Sequence, residues 1–223
     1  MINKLSFDKL LWLFFFYIGA LIALRMFYAG THDFIFIVWN LFLAFIPYVL
    51  SGMFVRSREP LGWKNILLIM GWLAFFPNAL YLITDLIHLG DNNDVPKWYD
   101  AILLFSASAA GLIMAFVSLY RFETTISSSI DKKWTSYFVF IAIALGSFGV
   151  YLGRFLRWNS WNILSRPFAL IYSIIERIIN PIQHFRAWGV TIILTMLFYL
   201  IYSIGKTVLM SQEGFKPSDA QEL

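Results

Sequence analysis

Cysteine is absent from the 223-residue chain. Its absence excludes disulfide bonds, thiolate metal ligands, thiol nucleophiles and a lipoprotein anchor. The sequence also lacks a glycine-rich phosphate loop, an HExxH zinc motif and a GxSxG nucleophile elbow. The sequence therefore predicts none of the enzyme classes that carry these motifs.

Charged residues are scarce, at 13% of the chain, whereas soluble domains carry about 25%. Hydrophobic residues reach 60% and aromatic residues 19%. This composition predicts an integral membrane protein whose partners include membrane lipids. The net charge of +4 does not indicate a nucleic-acid partner, because Lys and Arg in a membrane protein first of all set its topology.

Apolar runs of about 20 residues are long enough to cross a bilayer as helices. Six such runs are present, at residues 10–29, 34–55, 65–88, 99–120, 136–156 and 187–205. They predict an all-α fold, a polytopic membrane helix bundle that forms a single domain over residues 1–210, with a polar tail over 211–223. The first run is longer than the apolar part of a signal peptide, and no Ala-x-Ala-type cleavage site follows it, so we expect a retained span.

The segment over residues 157–186 is apolar but interrupted by charges. A full crossing would bury Arg166, Glu176 and Arg177, at a cost of about 2.5–3.5 kcal/mol each. A shorter amphipathic helix avoids this cost, because Pro167 suits its first turn and the following Asn-Pro pair ends it. We therefore predict an interfacial helix over 166–180, with a seventh span as the alternative.

Six spans place both termini on the same side of the membrane. If that side is the cytoplasm, the inner segments carry ten Lys and Arg residues and the outer segments seven, as the positive-inside rule requires. The inner set contains seven Lys and three Arg, and the outer set six Arg and one Lys. We expect a multi-pass protein of the cell membrane with cytoplasmic termini, whose outer arginines were selected for contacts with carboxylate or phosphate.

The third span carries a row of polar side chains. At about 100° per residue, Asn78, Tyr81, Asp85 and His88 share one helix face. Such residues are costly inside a membrane and mark a functional site by default. Asp85 and His88 are candidates for an acid–base pair or for two ligands of a divalent metal. The alternative is a solvated pair at the end of the helix.

Two prolines interrupt the apolar spans. Because proline has no backbone N–H, Pro47 leaves the carbonyl of Leu43 without its helical donor, and Pro77 does the same to Leu73. Proline-interrupted spans also occur at the binding sites of transporters. We expect a kink at Pro77.

Other spans bring polar residues to the same outer depth. The candidate substrate-binding residues are Asn40, Asn78, Tyr81, Tyr151, Arg154, Arg157 and Asn159. Asp100 is either a third catalytic carboxylate beside Asp85 and His88 or a first-turn residue stabilised by the helix dipole.

The two arginines of this set, Arg154 and Arg157, either hold a phosphate-bearing headgroup or neutralise the aspartates. We predict one outer cavity that contains Asn78, Asp85, His88, Asp100 and Arg154, with at least one Arg–Asp contact between spans.

Several phrases of the sequence resemble those of a known family. They are Trp39-Asn40-Leu41-Phe42-Leu43-Ala44, Phe76-Pro77-Asn78-Ala79, Thr84-Asp85-Leu86-Ile87-His88-Leu89, Trp98-Tyr99-Asp100 and the stretch from Gly149 to Trp161. The family is an uncharacterised group of bacterial integral membrane proteins, the domain of unknown function DUF1361. The resemblance implies a bacterial multi-pass membrane protein and brings no catalytic residue with it.

Three functions compete at this point. The first is an outer-leaflet enzyme acting on a lipid or isoprenoid-phosphate substrate. The second is a small transporter or ion-binding protein, and the third a non-catalytic membrane partner whose polar cluster braces the bundle. A lipid-accessible cavity or a metal at Asp85 and His88 favours the enzyme, and a water path to the inner face favours transport.

Overall fold

A computed structural model of the chain describes residues 6–57, 62–90 and 94–214. The described residues form helices and no strand, which confirms the all-α prediction. The elements are α1 (Phe7–Ala29), α2 (Phe36–Val55), α3 (Trp63–Tyr81), a 3-10 helix (Leu82–His88), α4 (Lys97–Ser127), α5 (Lys132–Leu156), α6 (Asn162–Ser165), α7 (Pro167–Ile179) and α8 (Phe185–Gly214). Most of the tail predicted over 211–223 falls on residues 215–223, which lie outside the described residues.

Six of the described segments are long and apolar enough to cross a membrane, as the sequence predicts. They are Phe7–Ala29, Phe36–Val55, Trp63–His88, Lys97–Ser127, Lys132–Leu156 and Phe185–Leu209. The third of them combines α3 with the 3-10 helix that continues it.

Polar contacts show that the first turn of α1 and the C-terminal part of α8 lie at the same end of the bundle. In the first turn of α1, Asp8 accepts a hydrogen bond from the hydroxyl of Tyr48, which also accepts one from Arg121 at 3.0 Å. Near the end of α8, Lys206 contacts Glu123 of α4 at 2.6 Å. We call this end the terminal end (Asp8, Glu123, Lys206) and the opposite end the far end (Arg25, Arg154).

Helix α7 is too short to cross a bilayer. Its 13 residues extend about 20 Å, against a hydrocarbon core of about 30 Å. Large apolar side chains remain exposed on it, among them Phe168, Tyr172 and Ile179. The prediction that this segment is a separate amphipathic helix and not a seventh span is therefore confirmed.

Aromatic rings pack in the described interior from the terminal end to the middle of the bundle. Trp72 packs against Phe76 and Phe122 with ring centroids 4.6 and 4.5 Å apart, and Phe122 packs against Phe54 at 4.3 Å. All four side chains are fully buried. The rings begin beside Glu123 of the terminal end and continue through Trp72 and Phe76 along α3.

Glycines let α5 approach α3 closely. A Cβ on Gly149 would lie 2.5 Å from Cγ of Pro77, and one on Gly146 would lie 2.8 Å from Cδ1 of Leu80. The Gly149-xxx-Gly153 spacing therefore serves helix packing, as such motifs commonly do in membranes. It brings the last turns of α5 against the second half of the third span.

The first prediction tests this contact with two identical substitutions. Gly149→Ala should lower the free energy of unfolding by about 1–3 kcal/mol because its methyl group has no space beside Pro77. Gly19→Ala is the control, since a Cβ there meets nothing within 4 Å, and it should stabilise α1 by about 1 kcal/mol. Thermal unfolding in detergent measures both changes, and an equal effect of the two would contradict the proposed contact.

Candidate functional site

The third span changes its winding where its ionisable residues begin. The α-helix ends at Tyr81, and the chain continues as a 3-10 helix from Leu82 to His88. Residues three apart are eclipsed in a 3-10 helix, so Asp85 and His88 lie one above the other. The four residues predicted to share one helical face therefore lie in two kinds of helix. Asn78 and Tyr81 belong to α3, and Asp85 and His88 belong to the 3-10 helix.

Arg154, in the last turn of α5, contacts the 3-10 helix with its whole guanidinium group. Its Nη2 forms an ion pair with Asp85, its Nε donates to Oγ1 of Thr84 at 2.9 Å, and its Nη1 lies 3.2 Å from Nε2 of His88. The guanidinium carbon also lies 4.3 Å above the ring of Tyr81. The expected contact between an arginine of the fifth span and an aspartate of the third span is present.

Asn40 of α2 completes this network. Its Nδ2 donates to Oδ2 of Asp85 at 2.9 Å, while Arg154 holds Oδ1 of the same carboxylate. The side chain of Asp85 is 1% exposed and that of Arg154 13%. We call Asn40, Thr84, Asp85, His88 and Arg154 the Asp85 network; it joins α2, the third span and α5.

The Asp85 network does not fit the divalent metal considered from the sequence. Arg154 contacts both prospective ligands, Asp85 and His88, so a guanidinium cation stands where a metal would be held. Within the part of the chain that the structure describes, no group of three His, Cys, Asp or Glu side chains forms a metal-binding cluster. We therefore derive no chemistry through a metal.

Asp100 belongs to a different ion pair. Its two carboxylate oxygens accept hydrogen bonds from Nε and Nη2 of Arg25 at 2.8 and 3.2 Å, and both side chains are buried. The ring of Phe34 covers the Arg25 guanidinium at 4.1 Å. The structure thus assigns Asp100 to the contact of α1 with α4 and not to the Asp85 network. Sequence reasoning missed Arg25, whose signal is a lone arginine in the last turns of an apolar span.

A cavity of about 280 Å³ lies beside the Asp85 network, between α2, α3, α5, the loop after α5 and α7. Its polar and aromatic lining residues are Trp39, Asn40, Asn78, Tyr81, Trp158, Asn159, Ser160 and Trp161. Asn40 and Tyr81 belong to the cavity wall and also contact Asp85 and Arg154. The Asp85 network therefore holds two residues of the cavity wall, Asn40 and Tyr81, in position.

Asn78 is held in the cavity wall by α3 and by the loop after α5. Its Nδ2 donates to the carbonyl of Phe75 at 3.1 Å and to Oγ of Ser160 at 2.8 Å. Trp39 and Trp161 pair edge to face, 6.2 Å apart, and each is about half exposed, so they form the rim of the cavity. Polar, aromatic and apolar groups thus meet in one site.

Two candidate residues, Tyr151 and Arg157, lie outside both the cavity lining and the Asp85 network. Tyr151 is buried in a stack with Phe148 and Phe155, on the side of α5 that faces α7 and α8. Arg157 is exposed and ends α5 with a left-handed backbone (φ 58°), so that the next residue, Trp158, turns into the cavity. Its side chain has no ion-pair partner among the described residues.

The terminal end carries two further clusters that sequence reasoning did not identify. One joins Asp8, Tyr48 and Arg121, and the guanidinium of Arg121 lies 4.3 Å from the Tyr48 ring centre. The other joins Glu123, Lys206 and the hydroxyl of Tyr202. The available signal was a charged residue near the end of an apolar span, such as Glu123 of α4.

Comparison with known proteins gives one match. Residues 39–201 match the family described as "Protein of unknown function (DUF1361)", which confirms the resemblance noted above. No curated protein and no solved structure matches the chain.

The second prediction concerns the ion pair in the Asp85 network. Removing one partner of a buried pair leaves an uncompensated charge and costs about 3–5 kcal/mol. Asp85→Asn and Arg154→Gln should each lower the free energy of unfolding by this amount, and the double variant should recover part of the loss. Arg157→Gln is the control and should change stability by less than about 0.5 kcal/mol.

A double-mutant cycle by thermal or denaturant unfolding in detergent measures the coupling. Fully additive losses for Asp85→Asn and Arg154→Gln would contradict the pairing.

Proposed function

The chain belongs to the DUF1361 family, a family of unknown function, and we propose that it binds an amphiphilic membrane lipid in the far-end cavity. The observation that carries this proposal is the order of polar and apolar groups along the cavity. The Asp85 network holds the walls in place. In this proposal the protein is a lipid-binding membrane protein and its partners are membrane lipids.

The wall groups are ordered as a lipid is ordered in a leaflet. Along α3, apolar Leu73 and Ala74 come first, and polar Asn78 and Tyr81 follow toward the far end. Along α2, Asn40 lies nearer the far end than Leu43, because this helix runs in the opposite direction. A headgroup at the rim and a chain directed toward the bundle centre match this gradient.

The lining supports binding more than catalysis. A general acid or base must reach the reacting atoms within hydrogen-bond distance, yet no Asp, Glu, His, Lys or Arg lines the described cavity. Asp85 and His88 point at Arg154 instead. An enzyme acting on the bound lipid is the second candidate, and it is favoured by Asn40, which touches both the cavity and Asp85.

Transport receives less support from the packing. The polar clusters lie at the two ends of the bundle, and the fully buried side chains of Trp72, Phe76 and Leu80 lie between them along the third span. Pro77 lies inside the continuous helix α3, beside Gly149 of α5, and it lines the cavity. The proline therefore shapes the binding site in this proposal.

We assign the far end to the outer leaflet. The inner segments carry ten of the 17 Lys and Arg residues, and lysine predominates among them. The positive-inside rule then places the termini in the cytoplasm and the cavity at the outer face of the cell membrane.

The third prediction tests lipid binding with two equal substitutions. Ala74 lines the cavity, and Ala74→Phe should fill it and abolish lipid retention. Ala23 lies exposed on α1, so Ala23→Phe adds the same group to the outer surface and should retain lipid like the parent protein. Mass spectrometry of lipids extracted from protein purified in mild detergent measures retention.

Equal retention of the same lipid by both variants would refute the cavity as the binding site. Enzymatic action would give a different result. The parent protein would convert the bound lipid, and Asp85→Asn would retain the lipid without converting it.

The fourth prediction concerns topology. Reporter fusions after Lys64 and after Asp94 should report opposite sides of the membrane, with Lys64 in the cytoplasm, because the third span separates them. A cytoplasmic signal from the Asp94 fusion would show that the cavity opens inward.

A further inference from the structure

We propose that the cavity recognises a primary ammonium headgroup, such as that of a zwitterionic ethanolamine phospholipid, through oxygen acceptors and aromatic rings. This inference deepens the proposed function and rests on it. Three observations carry it: the orientation of two amides, the position of one backbone carbonyl and the aromatic rings at the rim.

The orientation of both wall amides is fixed by partners that can only accept. Asn40 donates through Nδ2 to the carboxylate of Asp85, and Asn78 donates through Nδ2 to the carbonyl of Phe75. Neither partner has a hydrogen to give, so the amides cannot be reversed. The Oδ1 atom of each asparagine remains as an acceptor at the cavity wall.

One backbone carbonyl adds an acceptor to the same wall. Pro77 lies inside α3 and has no N–H, so the carbonyl of Leu73 lacks its helical donor. Leu73, Pro77 and Asn78 all line the cavity. Because helical carbonyls point toward the C-terminus and α3 runs toward the far end, this carbonyl is directed toward the headgroup. A ligand with N–H or O–H groups gains a hydrogen bond here that a ligand without them does not.

Aromatic rings favour a positively charged donor over a neutral one. Trp39 and Trp161 form the rim, and Trp158 completes the aromatic wall. A cation over the face of tryptophan is attracted by the ring quadrupole. Because the carboxylate of Asp85 pairs with Arg154, that guanidinium does not oppose an incoming ammonium. The exposed Arg157, one residue before Trp158, suits the phosphate of a zwitterionic headgroup.

The fifth prediction compares three phospholipids with identical acyl chains. Phosphatidylethanolamine has a cationic headgroup with N–H donors, phosphatidylcholine has the same charge without donors, and phosphatidylglycerol offers hydroxyl donors without the cation. In native mass spectrometry titrations of the purified full chain, the ethanolamine lipid should bind about tenfold more tightly than either of the others, as expected for hydrogen bonds to a charged group.

Two proline substitutions test the role of the Leu73 carbonyl. Pro77→Ala supplies the missing N–H and should keep its fold, since alanine suits a helix interior better than proline. This variant should lose most of the preference for the ethanolamine lipid over the choline lipid. Pro47→Ala is the matched control, because Pro47 also lies inside a helix but does not line the cavity, and it should keep the full preference.

Each outcome decides the proposal. Equal affinities for the ethanolamine and choline lipids would overturn donor recognition, and tighter binding of the glycerol lipid would overturn the choice of an ammonium. An unchanged preference in Pro77→Ala would remove the Leu73 carbonyl from the site. The lipid-binding function fails separately, when Ala74→Phe binds all three lipids as well as the parent protein does.

Discussion

The ion pair between Asp85 and Arg154 is the constraint around which the far end of the bundle is arranged. A single charge at this depth would cost several kcal/mol, so the two residues stabilise the fold only when the third span and α5 are packed together. Gly149 permits that packing by leaving space for Pro77. Asn40 then binds the remaining carboxylate oxygen and adds α2 to the same contact.

The cavity follows from this arrangement. Two residues of its wall, Asn40 and Tyr81, also contact Asp85 and Arg154, so the ion pair holds them in place. Because the pair satisfies its own charges, the described lining carries amides, hydroxyls and aromatic rings and no formal charge. An uncharged site with acceptors near the rim and apolar groups further in suits part of a lipid better than a free ion.

Ion pairs occur at both ends of the bundle, and they differ in position. Arg25 with Asp100 joins α1 to α4 at the far end, and Glu123 with Lys206 joins α4 to α8 at the terminal end. Neither pair touches the cavity. Among the ion pairs of the described residues, Asp85 with Arg154 is the one that contacts the cavity wall, through Asn40 and Tyr81.

The sequence by itself determined the six spans and the short α7, because the thickness of the hydrocarbon core sets the length of an apolar run. The shared depth of the polar residues also predicted a contact between an arginine of the fifth span and an aspartate, since a charge buried in lipid demands a partner. Only the tertiary structure decided that Asp100 pairs with Arg25, 75 positions away, and that the span winds as a 3-10 helix from Leu82. Which charges pair depends on how helices pack, and local sequence patterns do not encode that packing.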